Sequence, residues 1–392
     1  EPRAVFLARP AKVADFPVHD IESLRDSAAT SHIAGEPVAS SLDDIADILF
    51  TSGTTGQPKG VMLSHGAIIA AARNINAFVG NAPGDREVAP LPLSHSFGLG
   101  RLRCQVLAGG ALLLVNGFAM PGRLFNMMER YEAAGLSSVP AGFEVILRTT
   151  GNRLADFAER LRWIEIGSAA MPMPRKQQLM RLLPKTRLCM HYGLTEASRS
   201  AFIEFHTAGE HLDTIGRATP GVQIRVVDDR WQDVPAGARG QLAIQGPTLM
   251  TDYWRDDAMT ASVLVDGWLA TGDVGRLDAD GWLTLDGRVK EMINVGGREV
   301  CPTEIERVLE QLPEIAACAC VGIPDPQGIA GDVVKAFLVA SPGAQLPTHA
   351  ELGKYLRGHL EPYKQPRNFE WIDDIPRTFN GKIQRGVLAA RG

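Results

Sequence analysis

Apolar residues recur along this chain in short bursts separated by turns, never as one long stretch. Residues 48–50 (Ile-Leu-Phe) form a buried-strand pattern that stops in a turn rich in glycine, threonine and serine. A second apolar triplet follows at 61–63, then helical spacing from about 65 to 78. Residues 87–91 read as extended, 109–115 as a continuous apolar run, 122–134 as a helix, and 136–139 and 161–166 as strands. A helix after Pro174 and an extended 187–190 complete the series. Short apolar strands alternating with helices predict an α/β fold, a mainly parallel sheet with flanking helices on both faces. The texture changes near Thr214, where segments 222–227, 240–244 and 282–285 alternate or are short and turn-bounded; they predict a small β-rich subdomain over about 214–289. After Arg288 it changes again. A helix over 302–312, with Pro in its first turn and Glu304 and Glu306 near its positive end, is followed by strands over 315–321 and 333–339 and a helix over 350–360. The expected organisation is a tail or linker over 1–40, a large domain over 41–289 and a small α+β C-terminal domain over 290–392.

Composition narrows what such an architecture can serve. Of 392 residues, 40 are Lys or Arg and 45 are Asp or Glu, a formal charge of −5, which is no electrostatic footprint for nucleic acid. Apolar residues make up 45% and charged residues 22%, enough for a large core and too apolar for wholesale disorder. The five cysteines (Cys104, Cys189, Cys301, Cys318 and Cys320) have no framework spacing, and Cys318 and Cys320 share a strand-like apolar run, so a reducing compartment is expected. No run of about 18 apolar residues predicts a transmembrane helix. The first residues, Glu-Pro-Arg-Ala-Val-Phe, have no signal-like pattern. The expectation is a soluble, cytoplasmic protein.

The densest chemical signal is Thr51-Ser-Gly-Thr-Thr-Gly-Gln-Pro-Lys-Gly60. Gly53, Gly56 and Gly60 allow close backbone approach, so successive N–H groups can address one anion. Thr51, Ser52, Thr54, Thr55 and Lys59 add donors suited to phosphate oxygens. A Walker-type loop is excluded, because Gly60 stands where the Mg²⁺-holding hydroxyl would follow the lysine. Four later segments stand in a telling order: His191-Tyr-Gly-Leu-Thr-Glu-Ala197, Gly267-Trp-Leu-Ala-Thr-Gly-Asp273, Gly287-Arg-Val-Lys-Glu-Met-Ile293 and Asn380-Gly-Lys-Ile-Gln-Arg385. With the loop, they resemble the motifs of the AMP-forming adenylating superfamily, which holds acyl- and aryl-CoA synthetases, adenylation domains of peptide synthetases and firefly luciferase. The resemblance spans roughly residues 41–392 and is most like a fatty- or aryl-acid CoA ligase. Full-length members carry a further subdomain ahead of this point, so residues 1–40 are expected to be its remnant or a linker, and the chain a fragment or a short member.

The resemblance implies roles residue by residue. The loop carrying Thr51, Ser52, Gly53, Thr54, Thr55, Gly56 and Lys59 holds the β- and γ-phosphates of ATP. Ser168, Ala169 and Ala170 lie along the adenine, with Tyr192 and Gly193 beside it; Thr195 reaches the α-phosphate and Glu196 holds Mg²⁺. Asp273, placed after an apolar strand, accepts the ribose hydroxyls, and Arg288 adds a second contact. Lys290 is the hinge of a mobile C-terminal domain, Lys382 is the mobile lysine of adenylation, and Gly296 and Gly297 line a thiol channel. Without the resemblance, Tyr192 reads as core, Glu196 and Lys382 as solvated charges, and Asp273 or Arg288 as half of a surface salt bridge.

His95, in Pro92-Leu-Ser-His-Ser-Phe-Gly98, bears on substrate class. Amino-acid-activating relatives carry an aspartate near this point, and this chain has none, which favours a plain carboxylic acid. His95 resembles the aromatic gate between acid pocket and thiol channel; a structural histidine is the alternative, and no His or Cys partner stands at metal-ligand spacing. Ala141, Gly142, Phe143 and Gly167 are expected to wall the pocket with His95. The implied reaction is ATP-dependent formation of an acyl-adenylate, then transfer to coenzyme A or to the phosphopantetheine of an acyl carrier protein. A medium- or long-chain fatty acid is favoured, an aromatic acid next. A non-catalytic nucleotide-binding fragment is the alternative of another class; Lys382, Glu196 and Asp273 weigh against it. Self-association as a homodimer is left open.

Overall fold

Seven strands align in the order Arg217–Ala218, Ala201–Glu204, Arg187–Tyr192, Trp163–Ile166, Gly135–Ser138, Arg86–Ala89 and Ala111–Leu114. The last five pair in parallel; the first two join antiparallel at one edge. Gly135–Ser138 and Trp163–Ile166 are buried at every position, as strands covered on both faces must be. Their side chains alternate between two cores. Trp163 faces Ile75, Val79, Cys189 and Phe202, while Ile164 and Ile166 face Leu124, Phe125, Leu136, Phe143 and Ile146. The helix His65–Val79 covers the first face, and Pro121–Arg130 and Pro140–Thr150 cover the second. The mainly parallel, helix-flanked sheet expected from the apolar pattern is present.

This computed structural model describes residues 5–7, 18–20, 40–52, 58–118, 120–326, 331–378 and 381–391. Gly53, Thr54, Thr55 and Gly56 of the phosphate loop, and Asn380, lie outside the described residues. The chain divides into a unit over 1–41 and a unit over 42–392. In the first, Val5–Leu7 pairs in parallel with Val18–Asp20.

In the second unit, the strands flanking the phosphate loop form their own sheet. Ile45–Ser52 and Pro58–Ser64 are an antiparallel hairpin, with Asp252–Tyr253 on its edge. A further antiparallel sheet holds Gln223–Val227, Gly240–Gln245, Trp268–Leu277 and Leu264–Val265, with Leu283–Arg288 beside Trp268–Leu277. Asp273 therefore lies inside a strand, where the sequence reading put it after one. Its strand runs on because Gly275 passes close under Thr284 of the neighbouring strand.

Beyond Arg288, the hairpin Ile293–Val295 and Arg298–Val300 leads into a three-stranded sheet of Ile315–Pro324, Asp332–Ala340 and Asn368–Trp371. Helices Pro302–Leu309 and His349–Arg357 bury Ile305, Leu309, Leu352 and Leu356 against Cys318, Cys320 and Leu338. Thr348 and Glu351 close a reciprocal capping box on the second helix. All five cysteines are buried and free.

The helix Ser96–Ala108 escaped the sequence reading for a physical reason. Its buried face carries Gly98, Gly100, Arg101 and Gln105 in place of an apolar stripe.

Phe125 is fully buried and stacks on Phe157 at 5.5 Å. Phe125→Ala is expected to cost about 3–5 kcal/mol through the cavity left behind, read as a fall in the melting temperature; an unchanged melt would show that this core closes over the gap.

Candidate active site

The last residue of the sheet strand Arg187–Tyr192 starts the site. Tyr192 packs its ring in the core and donates its hydroxyl to Asp273 Oδ2 at 2.7 Å. Asp273 and Arg288 are cross-strand partners, and Arg288 Nε lies 2.9 Å from Asp273 Oδ1. Asp273 is 3% exposed. Burial raises its pKa, and Arg288 and the Tyr192 hydroxyl oppose that rise. Each carboxylate oxygen retains one acceptor site for a further donor such as a ribose hydroxyl.

Glu196 follows four residues on. Its Oε1 accepts from Tyr253 Oη at 2.8 Å, and the Lys59 ammonium stands 5.2 Å over the same tyrosine ring. Thr51 pairs with Lys59 across the hairpin, so both ends of the phosphate loop are fixed beside Glu196. Thr195 Oγ1 donates to Ser96 Oγ at 3.2 Å, joining this segment to the start of the helix Ser96–Ala108.

A second cation arrives from the far end of the chain. Thr378 N donates to Lys382 O at 2.8 Å and Lys382 N to Thr378 Oγ1 at 3.2 Å, a tight turn that presents the lysine. The turn lies against the strand-to-helix corner of the large sheet, where Gly381 approaches Ala141. Lys382 keeps part of its surface open to solvent. Its pKa is lowered by the surrounding protein and by Arg288, while Asp273, Glu196 and Glu291 pull the other way. His95 is also near. Its pKa falls to about 4, from burial first and then from Lys382, Arg199 and His191. Nδ1 accepts from Phe97 N at 3.2 Å, so the neutral ring caps the helix Ser96–Ala108.

Lys382, His95, Asp273, Arg288, Glu196 and Thr195, spread over nearly 300 positions of sequence, are thus linked by a chain of electrostatic and hydrogen-bond contacts. Residues 7–254 match the family model described as AMP-binding enzyme, and residues 304–382 match the AMP-binding enzyme C-terminal domain.

The chain belongs to the AMP-binding enzyme family.

It is 32% identical over 352 residues to a feruloyl-CoA synthase of an Amycolatopsis species, a match covering 89% of this chain and 70% of that one. It is 36% identical over 341 residues to an indoleacetate–CoA ligase of Aromatoleum aromaticum, covering 86% of this chain and 65% of that one. Among solved structures, ATP-bound MatB from Rhodopseudomonas palustris is similar at a TM-score of 0.85 and 30% identity, covering 94% of this chain and 72% of that one. The chain thus spans roughly two thirds of the length of these curated relatives.

The remaining residues singled out from the sequence take the following places in the fold. The strand Trp163–Ile166 ends in Gly167 and Ser168. A side chain at Gly167 would meet the His191 ring, and Ser168, just past the carboxyl end of this central strand, holds φ +74°, in the left-handed region. Gly193 passes close to Arg199 N. Lys290 sits in the short 3₁₀ turn Val289–Glu291 that joins the five-stranded sheet to the C-terminal portion. Gly296 and Gly297 hold φ +60° and +79°, the two-residue hairpin turn that favours glycine at both positions.

The expected acid pocket needs correction. Phe143 is 1% exposed and packs its ring in the large core against Leu136, Ile146 and Ile166 rather than presenting it as a pocket wall. Gly142 lies against Ser138 and Phe118, behind the cavity wall. One hollow is lined by His95, Phe97, Phe118, Val139 and Ser168. A second is walled by Leu63, Ala67, Ile68, Ala71 and Ile75 and reaches Ser96 and Thr195. Its wall is the inner face of the helix His65–Val79, an apolar stripe that sequence alone could not tell from ordinary core.

The sequence reading also missed a buried ionic set: Glu87, Arg101, Glu165, His191 and Arg199. Its signal was available. Glu87 and Glu165 sit within strands otherwise patterned for complete burial, and a carboxylate there requires a cation.

Magnesium suits the donor chemistry. Among the described residues no group of three His, Cys, Asp or Glu could hold a metal ion, so a protein-built cage is absent, while Glu196 offers one hard carboxylate. That is the arrangement of an ion carried in on nucleotide phosphates.

Asp273→Asn should weaken ATP binding about tenfold, the equivalent of one lost charge-assisted hydrogen bond, measured by calorimetric titration. An unaltered ATP affinity would reduce Asp273 to a structural partner of Tyr192 and Arg288.

Proposed function

We propose that this AMP-binding enzyme uses ATP to convert a carboxylic acid to its acyl-adenylate, releasing pyrophosphate, and then transfers the acyl group to the thiol of coenzyme A, releasing AMP. The observation that carries the proposal is the seating of the turn closed by Thr378 and Lys382 against Ala141, beside the large sheet, which puts Lys382 within electrostatic reach of Asp273, Glu196 and His95. The names of the feruloyl- and indoleacetate-activating relatives support it.

The chemistry follows from charge. A free carboxylate is a poor acyl donor because oxide would have to leave. Attack by its oxygen on the α-phosphorus of ATP breaks the bond to the β-phosphate oxygen and installs AMP as leaving group. Two anions must meet, so catalysis rests on positioning and charge neutralisation. Lys382 bridges the carboxylate and α-phosphate oxygens, Thr195 donates to the α-phosphate, and Lys59 with the loop from Thr51 holds the outer phosphates. Asp273, oriented by Tyr192 and Arg288, accepts the ribose hydroxyls, and Ser168 to Ala170 flank the adenine. Glu196 would hold Mg²⁺, which offsets phosphate charge when bound.

Thiol attack needs the same carbon opened from another side. Residues 290–392 pivot about Lys290 as one body against 41–289, withdrawing Lys382 and bringing Gly296 and Gly297 towards the thiol. His95 gates the passage. The acyl chain lies against the apolar side chains of Leu63, Ala67, Ile68 and Ala71 beside Ser96 and Thr195, a lining that suits a medium- or long-chain fatty acid, then an aromatic acid. Acid-dependent pyrophosphate release across a panel of fatty, aromatic and amino acids tests the reading; release with none of them would refute it.

Lys382→Ala should lower adenylate formation by at least about a hundredfold while sparing thioester formation from supplied acyl-adenylate, assayed as separate half-reactions. Equal loss of both would refute its role. Because the lysine acts charged and its pKa is lowered in the free chain, kcat/KM for adenylation should hold at neutral pH and fall as pH rises through a value below the ordinary lysine pKa, 10.5. A basic limb of kcat/KM at or above that value would contradict the placement. Lys290→Pro should do the reverse of Lys382→Ala, and normal turnover by it would argue against the hinge.

A further inference from the structure

The proposed chemistry leaves the buried ionic set without a role. Glu87, Arg101 and Glu165 are 0% exposed. Arg101 grips Glu87 through Nε and Nη2 at 2.8 and 2.9 Å and reaches Glu165 through Nη1 at 2.9 Å. Arg199 Nε donates to Glu165 Oε1 at 3.3 Å, and His191 Nδ1 lies 2.7 Å from the same oxygen. Burial tends to raise the Glu165 pKa, but Arg199 and Arg101 hold it well below the usual carboxylate range. Burial keeps His191 neutral, against the pull of Glu165. Two guanidinium groups therefore balance two carboxylates.

Stability is a poor reason for such a set, since apolar side chains of similar volume would serve as well or better. What the charged groups supply is direction. Arg199 Nη1 donates to Ser96 O at 3.3 Å and Nη2 to Phe97 O at 3.1 Å, the two residues that follow His95. Its guanidinium lies 5.0 Å over the Phe97 ring, and Phe97 meets His191 edge-on at 4.8 Å. A side chain at Gly100 would stand 2.6 Å from Arg199 Nη1, so the helix Ser96–Ala108 is notched to receive it. His191 in turn fills the space under Gly167. Arg199 itself holds φ +50°, a conformation that costs a non-glycine residue energy and persists only where its surroundings fix it.

From this geometry we infer that Arg199, seated on Glu165, is a positioning residue that fixes the segment His95 to Phe97 against Gly167 and Ser168, and so sets where the acid meets the nucleotide. The catalytic consequence rests on the acyl-adenylate reading; the positioning does not. The charged and titratable groups facing His95 are Lys382, from the C-terminal turn, Arg199 and His191, and all three add to burial in keeping its ring neutral.

The test compares Arg199→Met and Arg199→Lys in the whole chain. It reads kcat and KM for acid and for ATP by pyrophosphate release, the melting temperature, and the His95 pKa by NMR of ¹³C-histidine-labelled protein, assigned with His95→Gln. Arg199→Met should cut kcat/KM for the acid about a hundredfold, as a displacement near 1 Å does, with the KM for ATP within about threefold. The His95 pKa should rise from about 4 but stay below its ordinary 6.5, because burial and Lys382 still lower it. Arg199→Lys should keep the low pKa but restore only part of the rate, because an ammonium cannot span Glu165 and two carbonyls. Unchanged acid kinetics and an unmoved His95 in Arg199→Met would overturn the inference, as would a rate loss that only tracks the unfolded fraction. If Arg199→Met does not fold, Arg199→Lys decides: a loss of about tenfold or more in kcat/KM for the acid with ATP's KM retained supports the role, and anything less refutes it. An unaltered chain that releases no pyrophosphate with any acid would refute the activity alone, and the His95 titration would still decide the positioning.

Discussion

The proposed reaction depends on bringing a cation to the place where two anions must touch, and on holding it there without neutralising it. The cation is Lys382, and the chain delivers it from a turn anchored a short way downstream. Arg385 lies 2.9 Å from Glu291 through Nε and 3.0 Å from Glu306 through Nη2, and donates to Cys320 O at 2.8 Å. That anchor ties the Lys382 turn to both the 3₁₀ turn at Lys290 and the C-terminal sheet, so the lysine travels with its domain in the proposed pivot. Flanking carboxylates keep Lys382 charged, while Arg288 and the surrounding protein discourage extra proton affinity. A cation poised in this way stabilises charge without prior reorganisation.

The same economy of fixed directions recurs among the other site residues. Asp273 is oriented by a tyrosine hydroxyl and a cross-strand arginine, and Glu196 by Tyr253. Arg199 and Glu165 orient backbone carbonyls. Each functional segment leaves the sheet at a strand end: Ala89 towards His95, Ile166 towards Ser168, Tyr192 towards Glu196. Ligands of open α/β sheets gather at the carboxyl ends of strands for this reason.

Much of this was legible in the sequence. Short apolar bursts marked the buried parallel strands because complete burial demands continuous apolar character, and the motif residues stood at readable spacings. What stayed hidden depends on tertiary context. The helix Ser96–Ala108 buries glycines, Arg101 and Gln105, so it shows no amphipathic period. Phe143 looked like a pocket wall beside Ala141 and Gly142, yet helical geometry turns its ring into the core. The apolar cavity wall, Ala67 to Ile75, has the same spacing as any core-facing helix. Glu165 and Arg199 are 34 positions apart and reveal their pairing only once the turn before the strand Ala201–Glu204 folds back beside the strand Trp163–Ile166.

The central claim is that the acid's own oxygen attacks the α-phosphorus. Turnover of an acid labelled with ¹⁸O in both carboxylate oxygens, followed by mass spectrometry of the nucleotide product, measures this directly. One ¹⁸O atom should appear in AMP and none in pyrophosphate. Label in inorganic phosphate, or AMP free of it, would contradict the account.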